Sequence, residues 1–517
     1  MRSQHNAIIK STLVMGVATF LSRLLGFLRD VVLARLFGVY SFAQAFVVAF
    51  RIPNLFRDLV GEGAANSAIV PVFSQYKLDH TKEEFWELAN IVLNLLLVIL
   101  AAIAIAGIVL SPVIVRLIAP GFAASPEKLA LTIKLNQIIF PYIILVSLAA
   151  YSMAILNCLG HFSVPAFAPC LLNISIIVFA LVFGEGSLGL AGGVLAGGFL
   201  QLAIQIPVLL RKGFRLRLFK NFKHPAAIAI GKLMMPRILS SSIYQLSNFV
   251  DSIFGSLAFL AGEGAVAALY FAYRLIQFPI GVFSNSLSQA VLPNLSVQAC
   301  SEDKTCLKQT LLFSLRAVFM VMLPVSVFFI IFSDTIITSI FLGGKFDSYS
   351  ASITSRVFAC YSLGITFYAV VKILQSCFFA LKNTVIPMKV SALSLGLSVI
   401  FNLILTPHLK ASGIALSSSI AGFICAIVLS FALEKHIGIH ALKETLSSLW
   451  RVSIASVCMG TVCFWLKKFS PETAFFWQKA SYLLLVTLLS FCSYVLFCFI
   501  LGLREMKQFF CLLTLKK

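Results

Sequence analysis

Charged side chains are scarce in this chain of 517 residues. Only 11% of the residues are charged, 60% are apolar, and the mean hydropathy is +0.99. Soluble domains contain about 25% charged and about 45–50% apolar residues. The deficit excludes an ordinary soluble domain and indicates a protein that lies within a lipid bilayer.

Signatures of enzymes are also missing. The sequence has no Walker-type glycine loop, which excludes an ATP-driven motor on this chain. His436 and His440 have helical spacing, but no carboxylate or cysteine completes a metal-binding set. The twelve cysteines are scattered mostly through apolar segments, which is typical of packing and not of a disulfide framework. We therefore predict that the chain is not an enzyme and holds no metal and no organic cofactor.

Long apolar runs follow one another to the C-terminus, and most reach the roughly 20 residues that span a bilayer as a helix. The runs are continuous and do not alternate with polar residues, which favours a helical bundle over a β-barrel. We predict an all-α polytopic membrane protein with about fourteen transmembrane helices. The predicted spans are 7–37, 41–75, 84–118, 129–158, 164–184, 188–210, 226–259, 264–297, 308–341, 351–381, 384–405, 411–433, 444–466 and 476–502.

Lysine and arginine are unevenly divided between the segments that connect these spans. The side that carries both termini has nineteen, and the opposite side has six. Positive residues favour the cytoplasm, so we predict that both termini are cytoplasmic. These loops account for much of the net charge of +21, so bilayer lipids and not nucleic acid are its expected partners. Residues 211–224 are basic and amphipathic, which predicts a helix along the inner membrane surface.

The chain contains an internal repeat. Three matches share an offset of 222 or 223 residues: 45–51 with 268–274, 67–71 with 289–293, and Pro165 with Pro387. Each half has six spans, an even number, so both halves insert with the same orientation. We predict two parallel six-helix lobes, 1–222 and 223–442, followed by two additional helices and a cytoplasmic tail in 443–517. Transporters built in this way bind substrate between their halves near the middle of the membrane.

Arginines interrupt the first two apolar runs. Arg23, Arg29, Arg51 and Arg57 lie in these runs, and Arg274 repeats the position of Arg51 in the second half. Each Arg at the centre of a lipid-exposed helix costs about 2.5–3.5 kcal/mol, so these side chains are expected to face a wet cavity. The guanidinium fork donates paired hydrogen bonds to phosphate. The cluster therefore predicts a site for a diphosphate.

Structural ion pairs are the alternative reading of these charges. Asp30, Asp58 and Glu62 stand close to the arginines in the sequence, and Arg51 is the arginine for which this alternative is strongest. Asp251 and Lys372 are further isolated charges in apolar runs. Asp251 is a candidate ligand for a coupling cation, and a pair with Lys372 is the other interpretation.

These motifs resemble the MurJ/MviN family of lipid II flippases, within the multidrug/oligosaccharidyl-lipid/polysaccharide exporter superfamily. The resemblance covers the whole chain. It is most specific in four segments: Ser22-Arg23-Leu24-Leu25-Gly26-Phe27-Leu28-Arg29-Asp30, residues 49–64 with Arg51-Ile52-Pro53-Asn54 and Glu62-Gly63-Ala64, residues 165–175, and Arg274-Leu275 with Phe278-Pro279.

The resemblance implies a two-lobe transporter in the bacterial cytoplasmic membrane. It would move undecaprenyl-diphosphate-linked peptidoglycan precursor from the inner to the outer leaflet by alternating access, alongside enzymes of cell-wall synthesis. The implied substrate-binding residues are Arg23, Arg29, Arg57, Arg274, Asn54 and Glu62. Members often have acidic residues where Gln44, Tyr273 and Gln277 stand here, so this cavity is expected to be more cationic.

Three other functions remain open at this point. A flippase for another lipid-linked oligosaccharide would share the arginines, whereas a cation-coupled multidrug exporter would need uncompensated acids in the first half. A scaffold that only recruits cell-wall enzymes would not need the arginines. The energy source is also open between the membrane potential and a Na+ or H+ gradient, and the oligomeric state is not determined by these patterns.

Overall fold

The computed structural model describes residues 2–56, 69–184, 187–217, 224–301, 303–438, 441–469 and 476–503. These residues form helices and short connections, and no β-strand occurs among them. Eleven helical segments of the described chain are long and apolar enough to cross a membrane. The all-α polytopic fold is therefore confirmed, and the count of fourteen spans stays a prediction.

The described residues group by contact into two units, Met1–Leu257 and Ala258–Lys517. The first unit contains helices α1 to α10 and a short 3-10 helix, Pro120–Ala124. The helices are α1 Arg2–Phe37, α2 Ser41–Phe56, α3 Val70–Asp79, α4 Lys82–Ile118, α5 Pro126–Ile139, α6 Tyr142–Cys158, α7 Ser163–Phe183, α8 Ser187–Ala203, α9 Ile206–Lys212 and α10 Pro225–Ser256.

Helices α2, α4, α5 and α6 of the first unit meet at a buried apolar cluster. Phe140 and Ile143, at the α5–α6 junction, join Leu100 of α4 and Ile52 of α2 in one buried apolar cluster. Gly107 of α4 lies so close to the Phe140 ring that a Cβ at this position would overlap it. The contact of α4 with α5 therefore depends on a residue without a side chain.

The second unit contains helices α11 to α20 and a π-helical turn, Ile280–Ser284. The helices are α11 Ala258–Ala261, α12 Ala265–Pro279, α13 Asn285–Ala299, α14 Thr305–Ile331, α15 Ser333–Phe341, α16 Ser348–Ala380, α17 Val385–Leu409, α18 Ala411–Ile437, α19 Ala441–Lys467 and α20 Phe476–Ile500. Here α16 is central, because α12, α13, α14, α15 and α18 all pack against it.

Serines allow the helices around α16 to approach one another closely. Ser326 of α14 donates a hydrogen bond to the carbonyl oxygen of Ser362 at 2.6 Å, and Ser419 of α18 donates to that of Cys360 at 2.7 Å. Small residues and interhelical hydrogen bonds of this kind hold helices together in lipid, where apolar burial contributes little.

The division into units by contacts and the division into lobes by the sequence repeat fall at different places in the chain. The repeat predicts that α10 begins the second lobe at about residue 223, whereas α10 contacts α3, α4 and the 3-10 helix of the first unit. The backbone N–H of Gly121 donates to the Ser256 hydroxyl at the end of α10. The lobe boundary at 222 and 223 stays a prediction about sequence symmetry.

The connector after α9 differs from its prediction. The sequence predicts a surface helix over residues 211–224, but α9 ends at Lys212 and residues 214–217 are not helical. Residues 218–223 of this range lie outside the described residues. Gly213, with φ of 105°, terminates the helix in the left-handed region. Side chains of α4 hold the residues that follow Gly213. Their hydrogen bonds take the place of those that a helix would have made.

Candidate functional site

The face of α1 that packs against α7 carries the first part of the arginine motif. Asn173 of α7 donates from Nδ2 to the carbonyl oxygen of Ser22 at 3.2 Å, and its amide also lies beside Gly26. Ser22, Gly26 and Arg29 are spaced i, i+4 and i+7, so they lie on one face of the helix. This spacing brings Arg29 to Asn173.

Arg29 is buried and paired. Only 6% of Arg29 and 3% of Asp30 is exposed. The guanidinium donates to Asp30 Oδ1 from Nη2 at 2.8 Å and from Nε at 3.1 Å, and Nη1 donates to Asn173 Oδ1 at 3.1 Å. The structural ion pair left open by the sequence is therefore present for Arg29 and Asp30.

Arg23 has a different environment on the same helix. Its side chain is exposed, and within the described residues it has neither an ion pair nor a hydrogen bond. One residue beyond Ser22, it is rotated by about 100° away from the α7 contact. A guanidinium at this point is available to an anion that enters from outside the α1–α7 interface.

The second arginine motif continues along α2. The last two turns of α2 contain Arg51, Pro53 and Asn54. The side chains of Arg51 and Asn54 are half-buried. The Asn54 side-chain oxygen is buried and accepts no hydrogen bond from the described residues. Arg57, Asp58 and Glu62 lie outside the described residues, so the structure does not place these three candidates.

Arg274 lies on α12, in the second unit. Its Nη2 atom is 3.3 Å from the Tyr270 hydroxyl, and the guanidinium lies 5.1 Å from the centroid of the Tyr270 ring. The π-helical turn Ile280–Ser284 follows directly after Pro279. Such turns are frequent at functional sites, and this one follows the Arg274 motif.

Gln44 and Tyr273 stand where acids are common in the family that the sequence resembles, and the buried Gln44 Nε2 donates to no acceptor among the described residues. Gln44 is buried in α2, and the Tyr273 ring packs edge-on against Tyr361 with centroids 5.7 Å apart. Asp251 is half-buried in α10, and Lys372 is exposed on α16. Because Asp251 and Lys372 belong to different units, their pairing and the cation role of Asp251 stay predictions.

Asn173 is the residue of this site whose role the sequence analysis missed. Asn173 belongs to the motif of residues 165–175, and no separate role was predicted for it, although it joins α1 to α7 and contacts Arg29. Its separation of 144 positions from Arg29 hides the contact from local patterns. The only signal in the sequence was an amide in an otherwise apolar run.

Known proteins resemble the chain over nearly its full length. A family model described as "Lipid II flippase MurJ" matches residues 33–488. The probable lipid II flippase MurJ of Buchnera aphidicola subsp. Schizaphis graminum is 34% identical over 505 residues, covering 96% of this chain and 97% of the relative.

Solved structures agree with the sequence comparison. A structure described as "Lipid II flippase MurJ, inward closed conformation" has a TM-score of 0.78 at 26% identity and covers 94% of this chain and 98% of its own. An inward-facing MATE family transporter of the MOP superfamily has a TM-score of 0.70 at 18% identity, covering 82% of this chain and 96% of its own. The second similarity shows the shared fold alone.

Proposed function

Because this chain belongs to the MurJ family, it is a lipid II flippase of the bacterial inner membrane, and we propose that its arginines hold the diphosphate of lipid II. The family match over residues 33–488 carries the function and favours it over an exporter of drugs or another oligosaccharide flippase. The chain is accordingly a transporter and not an enzyme.

Arg23 is the residue we assign most directly to the diphosphate. It is exposed and has no partner among the described residues, so binding an anion does not require it to leave another contact. Arg29 is also assigned to the substrate, but to reach it the guanidinium must exchange its contact with Asp30. The proposed site also includes four residues that are assigned from the family resemblance: Arg57, Arg274, Asn54 and Glu62.

The proposed movement is alternating access between two six-helix lobes within a fourteen-helix bundle. The internal repeat supports this arrangement, since both halves insert in the same direction and contribute arginines from corresponding helices. The proposed orientation has both termini in the cytoplasm, so lipid II enters from the inner leaflet. The sugar-peptide headgroup occupies the cavity while the lipid tail stays in the bilayer.

The membrane potential is the proposed energy source, with a cation at Asp251 as the alternative. Fixed positive charge on the arginines favours the conformation that turns the empty site toward the negative interior. Transport in vesicles should then respond to an imposed potential while ion gradients are clamped. A response only to a Na+ or H+ gradient would instead support the cation at Asp251.

Lipid II binding to the purified protein tests the arginine assignment. We expect undecaprenyl diphosphate to displace lipid II and an uncharged polyprenol not to do so. Arg23→Ala should weaken binding about 10- to 100-fold, because a charged hydrogen-bond pair contributes about 1.5–3 kcal/mol.

Arg116→Ala is the matched control for this experiment. Arg116 is an exposed arginine in the last turn of α4, outside the motifs. Unchanged binding in Arg23→Ala, or equal loss in both variants, would contradict the assignment.

A further inference from the structure

The beginning of α4 and the turn after α9 meet at the end of the first unit that the charge distribution assigns to the cytoplasm. The Trp86 ring packs on Phe85 and on Phe214, with centroids 5.1 and 5.6 Å apart. Trp86 is 8% exposed, yet its Nε1–H donates to no acceptor among the described residues. An indole N–H normally finds an acceptor when it is buried, so this donor indicates a missing partner.

A second donor lies beside the indole. A Cβ added to Gly213 would lie 3.3 Å from Trp86 Nε1, 3.3 Å from Lys82 Cε and 3.4 Å from Lys82 Nζ. The indole N–H and the Lys82 ammonium thus flank the same glycine. Nε1 is closed to solvent in this arrangement, but the exposed Lys82 side chain is flexible and can rotate to admit an acceptor.

The backbone that follows Gly213 is fixed by two buried amides of α4. Asn90 Nδ2 donates to the Arg215 carbonyl oxygen at 3.0 Å, and Asn90 Oδ1 accepts from Arg217 N at 2.8 Å. Asn94 Nδ2 donates to the Arg217 carbonyl oxygen at 2.9 Å. These bonds anchor the backbone of Arg215 and Arg217 beside α4, so both side chains are attached to a fixed support.

The surface around the two donors is cationic and partly apolar. The side chains of four exposed basic residues of this segment have no partner among the described residues: Arg211, Lys212, Arg215 and Arg217. Exposed Leu210 and Leu216 alternate with them along the chain, with 54% and 64% of their surfaces accessible. Leucines among cations fit a lipid, which offers acyl chains beside its phosphate, better than a soluble phosphate.

The acidic residues at the start of α4 form no ion pair with Lys82 within the described residues. Glu84 accepts from the backbone and hydroxyl of Thr81 in a capping box, which directs its carboxylate toward the helix start. Glu83 and Glu87 are exposed, and neither forms an ion pair with Lys82 within the described residues. The Lys82 ammonium therefore remains available to an anion.

We propose that Trp86, Lys82 and the Gly213 turn form a binding site for the phosphate of an acidic phospholipid in the inner leaflet. The indole N–H and the Lys82 ammonium donate to the phosphate oxygens, Arg211 and Arg215 add charge, and Leu210 and Leu216 contact the acyl region. The site is separate from the arginine motifs of α1, α2 and α12. It holds the connector between the repeat halves at the membrane surface.

Binding of defined lipids to the full-length protein tests this site. The protein is placed in nanodiscs of phosphatidylcholine with increasing phosphatidylglycerol, and the phosphatidylglycerol that stays bound is measured by native mass spectrometry. The test variant is Trp86→Phe with Lys82→Gln, which keeps an aromatic ring against Phe214 but removes the indole N–H donor and the positive charge of Lys82. We expect its preference for phosphatidylglycerol to fall about tenfold relative to the unmodified protein.

The matched control is Trp465→Phe with Lys468→Gln at the end of α19, where both residues are exposed and similarly spaced. An unchanged preference in the control supports the site, whereas equal preference in both double variants overturns it. Lys82→Gln alone leaves the aromatic packing intact and is expected to lose part of the preference even if Trp86→Phe folds poorly. Full competition by inorganic phosphate or glycerol phosphate would overturn the assignment to a lipid.

Discussion

A guanidinium inside a membrane protein is stabilised either by a fixed carboxylate or by water and transient anions. Arg29 takes the first form, with Asp30 and Asn173 around it. Arg23, six residues earlier on the same helix, is exposed and has no partner among the described residues. The same motif thus contains one arginine in a structural ion pair, Arg29, and one without a described partner, Arg23, to which we most directly assign the substrate.

Substitution by alanine should separate these two roles. Arg29→Ala leaves the Asp30 carboxylate buried without its partner, a loss that typically costs about 3–5 kcal/mol. We expect a marked drop in abundance and melting temperature for Arg29→Ala, and values near those of the unmodified protein for Arg23→Ala. Both are measured on detergent-solubilised protein by fluorescence-detected chromatography with heating.

Asp30→Asn is the control for this comparison, because it keeps a hydrogen-bond acceptor while removing the charge. It should lower the abundance and the melting temperature less than Asp30→Ala does. Equal stability of Arg29→Ala and Arg23→Ala would show that the buried pair does not stabilise the fold.

Contacts between helices depend on residues that carry no pattern in the sequence. The helical runs and the arginine motifs were predictable, because the length of an apolar run and the charged residues within it can be seen in a short stretch of sequence. The contact of Arg29 with Asn173 was not predictable, since it joins segments that are distant in the sequence.

The connector was predicted as a helix from its amphipathic composition, whereas Asn90 and Asn94 of α4 hold residues 215–217 in another conformation. The assignments of Arg57 and Glu62 stay predictions.

The α4–α5 contact gives a prediction at this scale. Gly107→Ala places a methyl group into the Phe140 ring, and overpacking of this kind costs about 1–3 kcal/mol. We expect a lower melting temperature, with partial recovery in the Gly107→Ala, Phe140→Leu double variant. Gly396→Ala on α17 is the control, because nothing lies within 4 Å of its added Cβ. A Gly107→Ala variant as stable as Gly396→Ala would contradict this packing.

For the whole molecule, the orientation in the membrane decides from which leaflet the substrate enters. Cys300 and Cys306 are exposed thiols near the loop between α13 and α14, which the charge distribution places in the cytoplasm. A membrane-impermeant maleimide should therefore label them only after the cells are permeabilised. A Lys468→Cys variant, with other exposed cysteines removed, should be labelled in intact cells. The opposite pattern would reverse the proposed topology.

Transport in living cells tests the central claim most directly, namely that the arginines hold the diphosphate of lipid II. Flippase-depleted bacteria are complemented with Arg23→Ala, Arg29→Ala, Arg57→Ala and Arg274→Ala variants, with Arg116→Ala as control and expression checked. Lipid II exposed on the outer leaflet is then quantified. We predict that Arg116→Ala restores exposure and that Arg23→Ala, expressed at a normal level, does not. Normal lipid II exposure with all four motif variants would contradict the account.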